Sequence, residues 1–190
     1  DIPRMIVLNG FDKEHTKFDE ILSELKEAFG REIFPMTLPV NPGPGFNQVL
    51  DVMRSSLMTY ETNGSGKFKE GQAGGDLADR VKKLHGELVE YVAESDESLM
   101  EKFFENDGLT EDEMRGGIHA AIQNRTIIPV FTTSALTNVG VARMLDFIAK
   151  YGSSPVDRQL VTARNEAGEE VKVELTSGDT YGLVWNQTEP

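Results

Sequence analysis

The chain has 190 residues, 38% of them apolar, which is enough for a real core and for one large domain or somewhat more. Thirty-two acidic against nineteen basic residues leave a formal charge of −13, so most of the surface repels a phosphate backbone and no direct grip on nucleic acid is expected. With no cysteine there is neither a disulfide framework nor a thiolate metal site, and the three histidines, His15, His85 and His119, show no ligand spacing.

No run approaches the roughly 18 apolar residues of a membrane-spanning helix, and Asp1-Ile2-Pro3-Arg4 does not open a signal peptide, so no membrane partner is expected. The start at Asp1 rather than at a methionine fits a processed piece of something longer.

Arg4–Leu8 is a short apolar run ended by Asn9-Gly10 and reads as a buried strand emptying into a tight loop. Phe18, Ile21, Leu22, Leu25 and Phe29 then recur at helical spacing, with Thr16 and Asp19 as a capping arrangement and Gly30 at the C-terminus. Ile33–Leu38 is a weaker strand, and Asn41-Pro42-Gly43-Pro44-Gly45 a loop and a boundary. From Phe46 to Tyr60 strand and short helix remain open, while Asn63-Gly64-Ser65-Gly66 is the turn of a hairpin between Leu57–Glu61 and Lys67–Lys69.

Three helices should follow, with apolar stripes on Leu77, Val81, Leu84, Leu88 and Tyr91, on Leu99, Met100, Phe103 and Phe104, and on Met114, Ile118, Ala121 and Ile122. Ser95 is placed to cap the second, Gly108 to end it, and Thr110 with Glu113 to form a capping box on the third. Thr126–Phe131 is a further strand, and the helix after it should turn Val141, Met144, Leu145 and Ile148 inward and close at Gly152. The tail from Ser153 holds two strand candidates, Val171–Leu175 and Tyr181–Trp185.

Two loops stand beyond the carboxyl ends of strands, where α/β sheets bind ligands: Asn9-Gly10-Phe11-Asp12 and Thr133-Ser134-Ala135. The Asp12 carboxylate can accept two parallel hydrogen bonds from the N1–H and exocyclic amine of guanine, and a backbone N–H near Ala135 can donate to O6. Between Glu94 and Glu113 the run Glu94, Asp96, Glu97, Glu101, Glu105, Asp107, Glu111, Asp112 and Glu113 is opposed by Lys102 alone, as a solvated helix face or as a docking surface for a basic partner.

The wording of these segments resembles translational GTPases of the elongation factor G type. Pro3–Asp12 looks like the base-recognition strand and its Asn-Lys-x-Asp loop, Leu99–Phe104 with Leu109–Glu113 like helices of the G′ insert, and Pro129–Val141 with Leu145-Asp146 and Ser154-Pro155 like the last strand, Ser-Ala base loop and helix. The tail resembles the entry to the following β-barrel, with Tyr181–Trp185 at its first strand. The resemblance implies a partial P-loop-GTPase-like G domain, a three-stranded α/β sheet remnant with flanking helices, carrying an α+β insert. It divides the chain into G-domain pieces at residues 1–44 and 126–156, an insert at 45–125, and a linker with the start of domain II at 157–190.

It further implies a cytoplasmic factor switched by GTP and GDP with Mg²⁺, promoting translocation on the ribosome. Asn9, Asp12, Ser134 and Ala135 would hold the guanine base, and Glu101, Glu105 and Asp112 would face the stalk protein of the large subunit. Two departures limit that expectation. Gly10 stands where the family loop has Lys, and neither a G-x-x-x-x-G-K-[ST] loop nor switch segments are present, so no nucleotide is expected on this chain alone and no hydrolysis by it. A nucleotide-independent ribosome-binding paralogue and a tetracycline ribosomal-protection protein share this architecture and stand as alternatives. The missing half of the domain should also leave a sheet edge exposed and prone to pairing.

Overall fold

The computed structural model describes residues 2–106, 108–154, 157, 160–165 and 167–174. Residues up to Gly152 form one compact unit, and the residues from Ser153 on form a second. In the first unit the chain runs β1 (Ile6–Asn9), α1 (Phe18–Phe29), β2 (Ile33–Pro35), β3 (Thr37–Pro39), β4 (Gln48–Asp51), β5 (Ser56–Tyr60), β6 (Phe68–Gln72), α2 (Asp76–Ala93), α3 (Glu97–Asn106), α4 (Glu111–Gln123), β7 (Ile128–Thr133) and α5 (Val141–Tyr151).

The three strands expected from the apolar runs form one parallel sheet in the order β1-β7-β2, with Ile6 opposite Val130 and Ile33 opposite Ile128. The hairpin across Asn63–Gly66 also forms, as β5 and β6 of a four-stranded antiparallel sheet ordered β3-β4-β5-β6. The stretch from Ile33 to Pro39 serves both sheets. At Met36 the backbone N–H still bonds Val130 O at 2.9 Å while Met36 O accepts from Val52 N at 3.0 Å, and one residue later the strand belongs to the insert sheet. The insert sheet therefore begins at Thr37, ahead of residue 45. Thr37 ties the seam: its hydroxyl takes the Thr132 N–H at 2.8 Å in a fully buried position.

Helices α2 to α4 pack on each other and fill the insert core through Val81, Leu88, Val92, Ile118 and Ala121. Gly117 is required there by close approach, because a Cβ at that position would sit 2.4 Å from Val92 Cγ1 and 2.9 Å from Leu99 Cδ1. The capping box read from Thr110 and Glu113 is present, with Glu113 N–H on the Thr110 hydroxyl and the Glu113 carboxylate on Thr110 N–H at 2.9 Å. Gly30 likewise closes α1, at a φ of 96° with its N–H on Lys26 O.

Several local expectations are corrected. Helix α1 starts at Phe18 with Lys17 at the N-cap and no side-chain cap, because the Thr16 hydroxyl donates to Lys13 O in the preceding turn instead. The cap of α3 is Asp96, whose carboxylate accepts from Ser98 N and Leu99 N, while the Ser95 hydroxyl donates back to Val92 O. Helix α3 buries no residue fully and leaves Phe104 76% exposed, so its apolar stripe is only half used. In α5 the inward face carries Arg143 and Phe147, and Leu145 and Ile148 point out at 55% and 43% exposure. Helical spacing alone favours the four apolar residues over a charged one, yet the arginine finds a buried partner.

That partner is Asp51 at the end of β4. Arg143 Nε donates to Asp51 Oδ2, with the two side chains 4% and 1% exposed, and Asp51 Oδ1 also takes Arg54 N–H at 3.0 Å. In the second unit β8 (Leu160–Arg164) and β9 (Glu170–Glu174) form an antiparallel pair. Strand β9 falls on the expected Val171 segment, β8 was not foreseen, and Tyr181–Trp185 lies outside the described residues.

Two stability outcomes follow from these contacts. Arg143→Met should cost about 3–5 kcal/mol by chemical denaturation, since it strands a buried carboxylate, and adding Asp51→Asn should recover much of that loss. An additive double variant would show that the pair is not coupled.

The Lys102 ammonium at 2.9 Å, followed by the Thr110 N–H, holds the Glu113 carboxyl down to about 2. A carboxyl depressed in the fold contributes stability above its unfolded value of 4.5 and loses that contribution as pH falls from there toward about 2. Thermal melts should therefore show Glu113→Gln less stable than the parent near neutrality, with the gap closing across that window.

Candidate functional site

The loop after β1 is anchored by Phe11. Its ring is 2% exposed and lies 6.1 Å from the Phe18 ring and 5.9 Å from the Phe46 ring, a burial worth about 2 kcal/mol. Its backbone is held on both sides, because Gly10 N and Phe11 N share Thr133 O at 3.0 and 3.3 Å, and Phe11 O accepts from Gly43 N at 2.7 Å. Asp12 follows this fixed residue in a turn closed by Lys13 N to Gly10 O at 3.0 Å, and its side chain is half-buried at the sheet's carboxyl edge.

Gly10 adopts φ +98°, in the region that favours glycine, and a Cβ built there would touch the Lys13 stem at 3.8 and 3.9 Å. The turn in its present form thus needs glycine at position 10. The aliphatic stem of Lys13 lies beside the place from which a lysine at position 10 would start.

The second loop is built from its own backbone. Ser134 and Val139 exchange N–H···O bonds at 3.0 Å, and the Ser134 hydroxyl accepts Thr137 N–H at 3.2 Å while the residue is wholly buried. Ser134 therefore shapes the loop from inside. Ala135 and Leu136 stand exposed at the rim. Asn138, at φ +57°, donates from Nδ2 to Gly64 O at 3.2 Å, which ties this loop to the turn of the insert hairpin.

Asn9 joins the two loops. Its Oδ1 accepts the Ala135 N–H at 2.8 Å and the Thr133 hydroxyl at 3.3 Å. All four residues expected to hold a base, Asn9, Asp12, Ser134 and Ala135, thus belong to adjoining loops at the carboxyl end of one parallel sheet, although the Ala135 N–H is given to Asn9. What the sequence reading missed is the support: Phe11, Gly43 and Phe46, legible only as an aromatic after Asn-Gly and a Pro-Gly loop. The acidic residues expected to dock a partner, Glu101 and Glu105 on α3 and Asp112 on α4, are exposed, with Asp112 paired to Arg115 at 2.6 Å. Among the described residues no group of three or more His, Cys, Asp or Glu is placed to hold a metal ion, and no helix is long and apolar enough to cross a membrane.

A parallel sheet with paired strand-end loops, interrupted by an α+β insert, is an incomplete G-domain-like α/β fold. No family model matches the chain. Over 179 residues, 94% of its length, it is 27% identical to an elongation factor G-like protein of Thermotoga maritima, of which it spans 25%. A crystal structure of a protein from Thermus thermophilus superposes on 83% of the chain with a TM-score of 0.73 at 27% identity, the match covering 23% of that protein. The likeness to elongation factor G-type proteins read from the residues is borne out, and the chain corresponds to about a quarter of such a relative.

The strained turn gives a direct check. Gly10→Ala should lower stability by about 1 kcal/mol in urea titration and broaden or shift the amide signals of residues 9–13, because alanine resists this φ. A variant as stable as the parent would show that the turn relaxes without glycine.

Proposed function

We propose that this chain is the guanine-base end of the nucleotide site, together with the ribosome-facing insert, of a translational GTPase resembling elongation factor G that promotes translocation in the cytoplasm. The observation that supports this reading is the Asn9 clasp, which sets Asp12 and the Ala135 loop side by side at the sheet's carboxyl edge. Asp12 is the group that discriminates: its carboxylate accepts from the N1–H and exocyclic amine of guanine, which adenine cannot offer in that pattern. The Lys13 stem, which lies beside Gly10, is the side chain placed to cover the base in its stead.

GTP would need phosphate and Mg²⁺ ligands that this sequence does not contain, so they belong to other parts of the full-length protein. The exposed acidic face of α3, with Glu101 and Glu105 flanking Phe104, suits a basic partner with an apolar contact, and the stalk protein of the large ribosomal subunit is the partner we assign to it.

A second reading has its own support. With the Ala135 N–H already closed onto Asn9 and a glycine-dependent turn at position 10, groups that would meet a base are engaged within the chain, as suits a paralogue that binds ribosomes without nucleotide.

Calorimetric titration separates the two. The isolated chain should bind GDP no tighter than millimolar, while the full-length protein binds far more tightly and loses its preference for guanine over adenine in Asp12→Ala. Full-length protein with no measurable GDP affinity would leave the nucleotide-independent reading standing. For the insert, Glu101→Lys with Glu105→Lys should slow association of the full-length protein with ribosomes and flatten its salt dependence, leaving thermal stability nearly unchanged. Rates identical to the parent across a salt series would return these residues to a solvated face.

A further inference from the structure

A cavity of about 760 Å³ opens between the β4–β5 turn, the start of α4 and the end of α5, away from the strand-end loops. Its lining offsets the acidity of the rest of the chain. Arg54, Arg115, Arg143 and Lys150 stand against Glu70, Glu111 and Asp112 in the lining and Asp51 behind Arg143, an even balance in a molecule of net charge −13.

The deepest of the cations is Arg143, 3% exposed, whose Nε is satisfied by Asp51 but whose Nη1 is buried with no hydrogen-bond partner. Native proteins almost always pair such a group, and a guanidinium N–H with no acceptor beside an open cavity marks the place of an acceptor atom. The other cations are partly compensated, Arg54 by Glu70 at 3.1 Å and Arg115 by Asp112 at 2.6 Å, on side chains exposed enough to turn toward an incoming group. His85 also lines the space. Its Nδ1 faces the Val52 carbonyl at 3.0 Å, and a carbonyl only accepts, so Nδ1 is the donor in that contact.

We propose that this cavity is a second ligand site, which takes the oxyanion of a small molecule, a phosphate or a carboxylate, on Arg143 Nη1 with Arg54, Arg115 and Lys150 around it. The oxyanion supplies the acceptor that Arg143 lacks, and it enters where four cations offset the chain's own negative field. Because the cavity is bounded by both the insert and α5, occupation would also brace these two against each other. The site is independent of the guanine-base reading.

The test is a titration of the 190-residue chain with inorganic phosphate, and separately with malonate, at ionic strength held constant with sodium chloride. The readouts are the Arg143 Nε–H resonance and the backbone amides of Arg54 and Lys150. Saturable shifts confined to the cavity are expected, with a dissociation constant on the order of millimolar. Whichever anion saturates at lower concentration identifies the source. Arg115→Ala with Lys150→Ala, both at the mouth, should weaken binding about tenfold. Lys82→Ala, outside the cavity lining, should leave it unchanged. Linear shifts without saturation, shifts scattered over the surface, or equal affinity in the Arg115 and Lys150 double variant would overturn the proposal.

Discussion

The buried pair between Arg143 and Asp51 is the constraint on which the two halves of the compact unit depend. Taking both charges out of water costs several kcal/mol per ion before their attraction is counted, so the pair persists only where geometry is enforced from both sides. Here β4 presents Asp51 at the strand end and the Arg54 N–H fixes its other oxygen, while α5 delivers Arg143 beside the buried Phe147. An apolar contact would tolerate sliding between insert and sheet. A desolvated ion pair does not, and it sets which face of α5 turns inward, against the preference of Leu145 and Ile148.

The seam at Met36 and Thr37 works in the same direction. One extended segment leaves the parallel sheet and enters the antiparallel one without a loop, so the insert cannot rotate freely against the sheet. The Asn138 contact to Gly64 carries that rigidity to the rim, since it fixes the Ser134–Val139 loop to the insert hairpin. The strand-end loops are therefore supported by the insert as well as by the sheet. A change at the hairpin tip has a short path to Ala135.

Each of the two candidate sites keeps one buried polar side-chain atom without a hydrogen-bond partner. At the strand-end loops Asn9 absorbs the Ala135 N–H, and the turn at Gly10 closes on itself through Lys13. The Thr137 hydroxyl of the second loop nevertheless stays buried without a partner, as does Arg143 Nη1 in the cavity by α5. Within a strongly acidic chain, four cations gather about this one space, together with Glu111 and Asp112 of α4.

Elements whose signals are local were legible in the amino-acid order alone. Apolar runs named the three parallel strands, Asn63–Gly66 named the hairpin, Thr110 with Glu113 named the start of α4, and Gly30 the end of α1, because turn chemistry, caps and backbone conformation act within a few residues. The pairing of Asn9-Gly10-Phe11-Asp12 with Thr133-Ser134-Ala135 was legible through the likeness of both segments to one family. Whatever depends on groups far apart in the chain was settled by folding instead. The closed structure chose Arg143 over Leu145 for the core because Asp51, 92 residues earlier, compensates it. It split Ile33–Pro39 between two sheets, since each half meets a different partner strand, and it gave the Ala135 N–H to Asn9, 126 residues away. Local periodicity carries no information on such pairings, because their energy comes from desolvation and hydrogen bonding that exist only once the chain has closed on itself.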